Sequence, residues 1–311
     1  MSDVRTLSVI VPVYFNERSL PHLFKAFDDL ERRLLTKDVG LDLIFVDDGS
    51  GDSSLDVLLS LRARRPGTKV IKLTRNFGAV QASRAGLAYV EGDCYTVLAA
   101  DLQDPVEKVD EMVERWLQGS KFVICIRSGR DDPFVTRVLS GIFYKLVRWL
   151  SLPDYPAGGF DMMLMDAVML PYMRERSRNT NPAMYASWLG FEPDVLSYHR
   201  PSAVHSVSRW TVAKRIQFAI DSITGFSVVP IRLISSFGVA VAFVSFIYGA
   251  YMVVAGLLGV VEVRGFPTLV VLVSFFGGMI LTMLGIIGEY LWRVFDATSG
   301  RPESIVDEAF L

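Results

Sequence analysis

Short apolar runs, each cut off by polar residues, recur through the first half of the chain. Residues 7–13 are strand-length and rich in β-branched side chains, and the run gives way to Tyr14, Asn16 and Glu17. Residues 41–46 close in Asp47 and Asp48, 69–73 in Arg75, 94–100 in Asp101 and 122–126 in Arg127. Stretches of helical periodicity lie between them. Such alternation predicts the strands of a parallel sheet covered by helices on both faces. The carboxyl ends of parallel strands share one edge, and ligands of open α/β sheets bind in the crevice there. Each polar residue alone suits a turn or a cap; their convergence on one edge predicts a site. The stretch 97–105 is the clearest case, with Asp101, Gln103 and Asp104 at the end of an apolar run and Pro105 opening a helix. Oxygen donors in that setting suit a hard cation, Mg²⁺ or Mn²⁺.

The pattern changes in the last third. In 207–227, Val212, Ile216, Ile220 and Ile223 recur at helical spacing with Lys214 and Asp221 opposite, which predicts an amphipathic helix lying along a membrane surface. Residues 233–261 carry no charge, and 268–291 are again apolar; each is long enough to cross a bilayer. The expected organisation is an α/β domain over 1–205, a juxtamembrane helix over 206–232, transmembrane helices over 233–261 and 268–291, and a tail over 292–311. Arg200, Arg209, Lys214, Arg215 and Arg232 flank the first span against Asp221, whereas the loop between the spans holds only Glu262 and Arg264. By the positive-inside rule the domain and the tail are both cytoplasmic. Gly277, Gly278, Gly285 and Gly288 suit close helix approach.

Composition sharpens this picture. Hydrophobic residues make up 51% of 311, and mean hydropathy is +0.34, with the excess gathered in the two spans. A net charge of −2 gives no basic field for nucleic acid. Cys94 and Cys125 sit in apolar runs as buried free thiols, and the few His and Cys lack zinc spacing. No G-x-G-x-x-G or G-x-x-x-x-G-K-[ST] follows a strand, which excludes a dinucleotide-binding fingerprint and a P-loop. The start has neither a basic n-region nor a cleavage site, so no signal peptide is expected. Arg127, Arg130 and Arg137 are spaced for bidentate phosphate contacts or for a solvated helix face. Gly158 and Gly159 before Phe160-Asp161 allow close backbone approach to a ligand, or an ordinary turn.

Taken in order, PVYFNE, VDDGS, TRNFG, ADLQDP, GGFD and SRW, followed by two apolar spans, resemble the family 2 glycosyltransferases of GT-A fold, and within them the polyprenyl-phosphate glycosyltransferases. The resemblance implies a Rossmann-like, mostly parallel α/β sheet. It implies that Pro12, Tyr14, Glu17, Asp47 and Asp48 hold the nucleoside of a sugar donor, with Arg75 and Asp101 on the same donor side. Asp101 and Gln103 would hold a divalent metal, Mg²⁺ or Mn²⁺. Asp161 would be the catalytic acid group beside the transferred sugar, and Arg127, Arg137, Arg200 and Arg209 would bind phosphates. The implied reaction is inverting transfer of a hexose from a nucleotide sugar, UDP-glucose or a related UDP-sugar, to undecaprenyl phosphate for cell-envelope glycan. The implied setting is a multi-pass homo-oligomer of the inner membrane. Three departures stand out: Ala99 replaces the first metal-motif Asp, Ala203 replaces a second basic residue after Arg200, and Phe15 is an insertion. Ala99 and Ala203 motivate a second expectation, a weakened glycosyltransferase-like membrane protein acting through lipid or protein partners. A processive synthase is disfavoured because Ser206 stands where its motif has Gln.

Overall fold

The computed structural model describes residues 4–102, 104–127, 134–175, 181–198, 222, 225–227, 229–258 and 265–311. They fall into two compact units, 1–222 with 301–311, and 223–300.

In the first unit eight strands form one sheet in the order β7-β5-β6-β4-β1-β2-β3-β8. The strands are β1 (Arg5–Val13), β2 (Val39–Asp47), β3 (Lys69–Leu73), β4 (Cys94–Val97), β5 (Phe122–Arg127), β6 (Met162–Asp166), β7 (Pro193–Tyr198) and β8 (Val306–Phe310). The pairs β1–β2, β2–β3, β1–β4 and β5–β7 are parallel. β6 runs antiparallel between β4 and β5, and β8 antiparallel along β3. The sheet is therefore mostly parallel, as expected: β1 to β5 all run the same way, and β6 and β8 are the reversed strands. Side chains alternate across the sheet. Leu7, Val9, Val11 and Val13 enter one apolar layer with α1 (Leu20–Leu35), α2 (Ser54–Arg64) and α4 (Val106–Leu117). Ile10, Ile44, Val46 and Ile71 enter the other with α3 (Ala79–Leu87), α6 (Leu170–Glu175) and α7 (Pro182–Trp188). α5 (Phe134–Leu150) connects β5 to β6. Cys94 and Cys125 are buried free thiols, and burial pushes the Cys125 thiol up to about 12.

Chain order places the crevice. From β1 the sheet grows one way through β2 and β3 and the other way through β4, so the carboxyl ends of β1 and β4 flank a switch point.

The second unit holds α8 (Val229–Leu257) and α9 (Phe266–Thr298). Both are long and apolar enough to cross a membrane, over Ile231–Met252 and Phe275–Thr298. At 1.5 Å per residue α9 is about 50 Å long, more than a bilayer's hydrocarbon core needs. Among the described residues a Cβ on Gly277, Gly278, Gly285 or Gly288 would meet nothing within 4 Å, whereas one on Gly238 would lie 2.9 Å from the Met283 ε-methyl. The expected juxtamembrane helix lies mostly outside the described residues.

β8 comes from the far side of this helical unit in sequence, yet it completes the edge of the sheet. Thr74 N donates to Ile305 O at 3.0 Å. Lys72 pairs with Asp307 at 2.6 Å and Arg84 with Glu303, and Phe310 packs on the core.

Candidate active site

The loops after β1 and β2 are laced together by polar groups that the sequence offers as ligand contacts. Asn16 N donates to Ser54 Oγ at 2.9 Å, Ser53 N to Glu17 Oε2 at 3.1 Å and Glu17 N to Asp52 Oδ2 at 3.3 Å. Asn16 Oδ1 accepts from Tyr14 N, two residues back, at 2.9 Å, bracing the turn by which the chain leaves the strand. Asp48 is buried, and its two oxygens accept from Phe77 N at 2.7 Å and Gly78 N at 2.8 Å. Its carboxylate thus ties the end of β2 to the turn that opens α3. Asp47 differs: it is 1% exposed, Oδ2 accepts from Ser50 N at 3.3 Å, and Oδ1 has no hydrogen-bond partner among the described residues. Burial pushes both carboxyls up. Gly49 makes the junction possible, since φ is +68° and a Cβ would lie 2.6 Å from the Arg75 carbonyl carbon. Arg75 is exposed, with its guanidinium 4.1 Å from the centre of the Phe77 ring. Pro12 and Tyr14 lie half-buried on this edge, and Phe15 stands exposed beside them with a φ of 56°.

β4 leaves its ladder at Val97, earlier than the apolar run through Ala100 predicts. Leu98 N still donates to Ile10 O at 2.9 Å, after which the chain turns sharply, with Leu102 at a φ of 60°. Ala99 N donates to Asp104 Oδ2 at 3.3 Å, closing the loop. Asp101 is exposed on it. Burial pushes the Asp104 carboxyl up to about 6, opposed by the Ala99 N–H and reinforced by the Asp161 and Asp101 carboxylates.

Asp161 reaches the same edge because β6 is reversed, so the residue before it falls level with the carboxyl ends of its neighbours. Asp161 N donates to Cys125 O at 3.4 Å. Its carboxylate receives the Arg127 guanidinium as a fork, Nε to Oδ2 and Nη2 to Oδ1 at 2.8 Å, and the Tyr198 hydroxyl on Oδ2 at 3.0 Å. Beneath it, Tyr144 stacks on Tyr155 with centroids 6.1 Å apart, and Tyr155 lies 5.6 Å from Phe160. Gly159 has a φ of +67°, and a Cβ there would lie 2.4 Å from the Tyr144 hydroxyl. Both facts favour glycine.

The structure thus brings Pro12, Tyr14, Glu17, Asp47, Asp48, Arg75, Asp101, Arg127 and Asp161 to one sheet edge. Gln103, Arg200 and Arg209 lie outside the described residues, and Arg137 is described only as a backbone position on α5. Sequence reasoning missed Tyr198; its available signal was the short apolar–polar–apolar order of Leu196, Ser197 and Tyr198. A cavity of about 390 Å³ lined by Arg5, Asp93, Trp116 and Asp166 lies at the opposite edge. Polar groups there are paired with one another, Trp116 Nε1 donating to Asp166 and Thr6 N to Asp93, both at 2.8 Å.

The sequence profile described as "Glycosyl transferase family 2" matches residues 8–167. The SfII prophage-derived bactoprenol glucosyl transferase of Shigella flexneri is 32% identical over 310 residues, 97% of this chain and 98% of that one. The prophage bactoprenol glucosyl transferase homolog of Escherichia coli K12 is 32% identical over 304 residues, 96% of this chain and 98% of the other. Among solved structures, glucosyl-3-phosphoglycerate synthase from Mycobacterium tuberculosis, in complex with Mn²⁺ and UDP-glucose, superposes with a TM-score of 0.50 at 18% identity, covering 71% of this chain and 79% of that one, a likeness of fold. With a profile matched across the strands that build the edge, and relatives aligned from the first strand through both long helices, the chain belongs to glycosyl transferase family 2.

Proposed function

We propose that this glycosyltransferase moves a hexose from a UDP-sugar, UDP-glucose foremost, to a polyprenyl phosphate such as undecaprenyl phosphate, with inversion, at the cytoplasmic face of the inner membrane. The observation that carries the reading is the extent of the match: relatives named bactoprenol glucosyl transferase align over 97% of the chain, membrane helices included. An acceptor that cannot leave the bilayer needs its enzyme held against it, and two apolar helices do that. The return of 306–310 to the catalytic sheet supports an even number of crossings with both ends on one side.

In this reading the buried Asp47 Oδ1 accepts from an N–H of the donor's base, while Asp48 holds the floor of that pocket. The residues fit a divalent cation in one way. Among the described residues no three His, Cys, Asp or Glu are grouped to hold one. A hard cation is commonly bound by one or two carboxylates completed by phosphate and water, and the exposed Asp101 is such a ligand, with Gln103 beside it in sequence. When bound, the cation would supply positive charge at the donor diphosphate. Arg127, Arg137, Arg200 and Arg209 are the chain's own charges for the diphosphate and the lipid phosphate.

The acceptor's phosphate oxygen attacks the anomeric carbon, and the bond from that carbon to the diphosphate breaks. A phosphate monoester has its second pKa near ~6, so the nucleophile is largely ionised at neutral pH. Asp161 therefore serves less to remove a proton than to orient the reacting groups. Asp161→Asn is expected to lose most turnover while donor affinity stays within about twofold; wild-type turnover would remove Asp161 from the mechanism. The function itself is tested with purified protein, undecaprenyl phosphate and a panel of labelled nucleotide sugars, with Mg²⁺, Mn²⁺ or EDTA. Lipid-linked sugar from one donor, abolished by EDTA, is the expected result. Nucleotide binding without product from any donor would favour the weakened, partner-dependent protein that Ala99 and Ala203 suggest.

A further inference from the structure

We infer that Tyr198 is a positioning residue of the transfer site, holding the Asp161 carboxylate in the one orientation that locks the Arg127 guanidinium. Among the described residues, three separate segments meet at this carboxylate. Arg127 ends β5, Tyr198 ends β7, and Asp161 precedes β6. The parallel register sets Tyr198 opposite Arg127 on adjacent strands, which brings their side chains together on one face. The Tyr198 ring is 2% exposed, and its hydroxyl reaches Asp161 Oδ2 at 3.0 Å.

The need for such a tether follows from the local chain. Asp161 is preceded by Gly158, Gly159 and Phe160, and two glycines give the backbone little stiffness of its own. The Arg127 fork fixes the plane of the carboxylate, but a fork can swing as a unit with its partner. A donor on Oδ2 anchored in a buried strand restrains that swing. Tyr198 is a dependable donor, because burial and the adjacent Asp161 carboxylate push its phenol up and keep it protonated at neutral pH. A core tyrosine that merely finds a partner for its hydroxyl would give the same burial. The difference lies in which property responds when the hydroxyl is removed.

Tyr198→Phe keeps the ring and its packing. For the kinetic arm the inference rests on the glycosyl-transfer reading. The expected result is a kcat lowered about tenfold with donor KM and donor Kd within about twofold, and a Tm within about 2 °C of wild type. A second arm needs no turnover: arginine labelling by phenylglyoxal, resolved by mass spectrometry. Release of the fork should speed labelling of Arg127 at least about threefold, while Arg75, at the other end of the edge, labels as in wild type. Arg127 labelling at the wild-type rate overturns the inference, as does an unchanged kcat. If the wild-type protein transfers no sugar at all, the glycosyl-transfer reading fails, and the labelling arm still decides the role of Tyr198.

Discussion

Position 99 carries a methyl group where the resemblance read from the sequence implies a carboxylate. Ala99 is half-buried, and its N–H is already engaged by Asp104. That bond uses the backbone, so it survives a change of side chain. Ala99→Asp is expected to keep the loop and add an oxygen ligand two residues from Asp101. The Mg²⁺ or Mn²⁺ concentration giving half-maximal transfer should fall about tenfold; an unchanged titration would mean the cation is held elsewhere. Asp104 titrates against folding. Its carboxyl is raised to about 6 in the folded chain, against an ordinary value of 3.8. Between those values the folded protein keeps a proton that the unfolded chain has lost. This group therefore favours folding at the acid end, and its contribution fades as pH rises through 6. Asp104→Asn removes the titration, so the variant should gain stability relative to wild type from pH 4 to 7, on the order of 2 kcal/mol. Paired melts in EDTA across that range check it; a constant difference would place the proton elsewhere.

At the scale of elements, the strands fully buried by helices on both faces were the legible ones. β1 to β5 each read as an apolar run because both of their faces are covered. β6 and β7 were not read, since Met162–Asp166 is methionine-rich without β-branching and Pro193–Tyr198 opens on Pro and Asp. The reversal of β6 has no signature in a single run, although it is what brings Asp161 to the edge. Aspartates were legible as a cluster but not in their duties: Asp47 and Asp48 look alike in sequence, and only the fold separates a buried acceptor from a backbone tie. β8, VDEAF, falls in what the sequence offers only as a tail, because it is a short edge strand with two charges in five residues; in the fold those charges pair with Lys72. Removing residues 305–311 would bare the edge of β3 and uncover the core beneath Phe310. A loss of about 2–4 kcal/mol is expected, seen as a fall in Tm of roughly 5–10 °C. An unchanged melt would show that the strand adds nothing to the sheet.

The whole molecule is a chain that leaves its first unit, forms two long apolar helices, and comes back to finish the sheet it began. Composition made the division between a mixed α/β part and an apolar part plain, whereas nothing in the tail announced the return. The return bears on how the protein is made. Synthesis runs from the amino end at about 5–20 residues per second, and domains fold as they emerge. The first seven strands are therefore available before either long helix exists, but the outer edge of β3 stays bare until both have been made. In the proposed topology only a chain that has crossed the bilayer twice can lay β8 against β3. A chain that crossed once would strand its own last strand on the wrong side of the membrane. The sheet is then completed only after insertion has succeeded, so a half-inserted chain displays an open edge and a correctly inserted one does not.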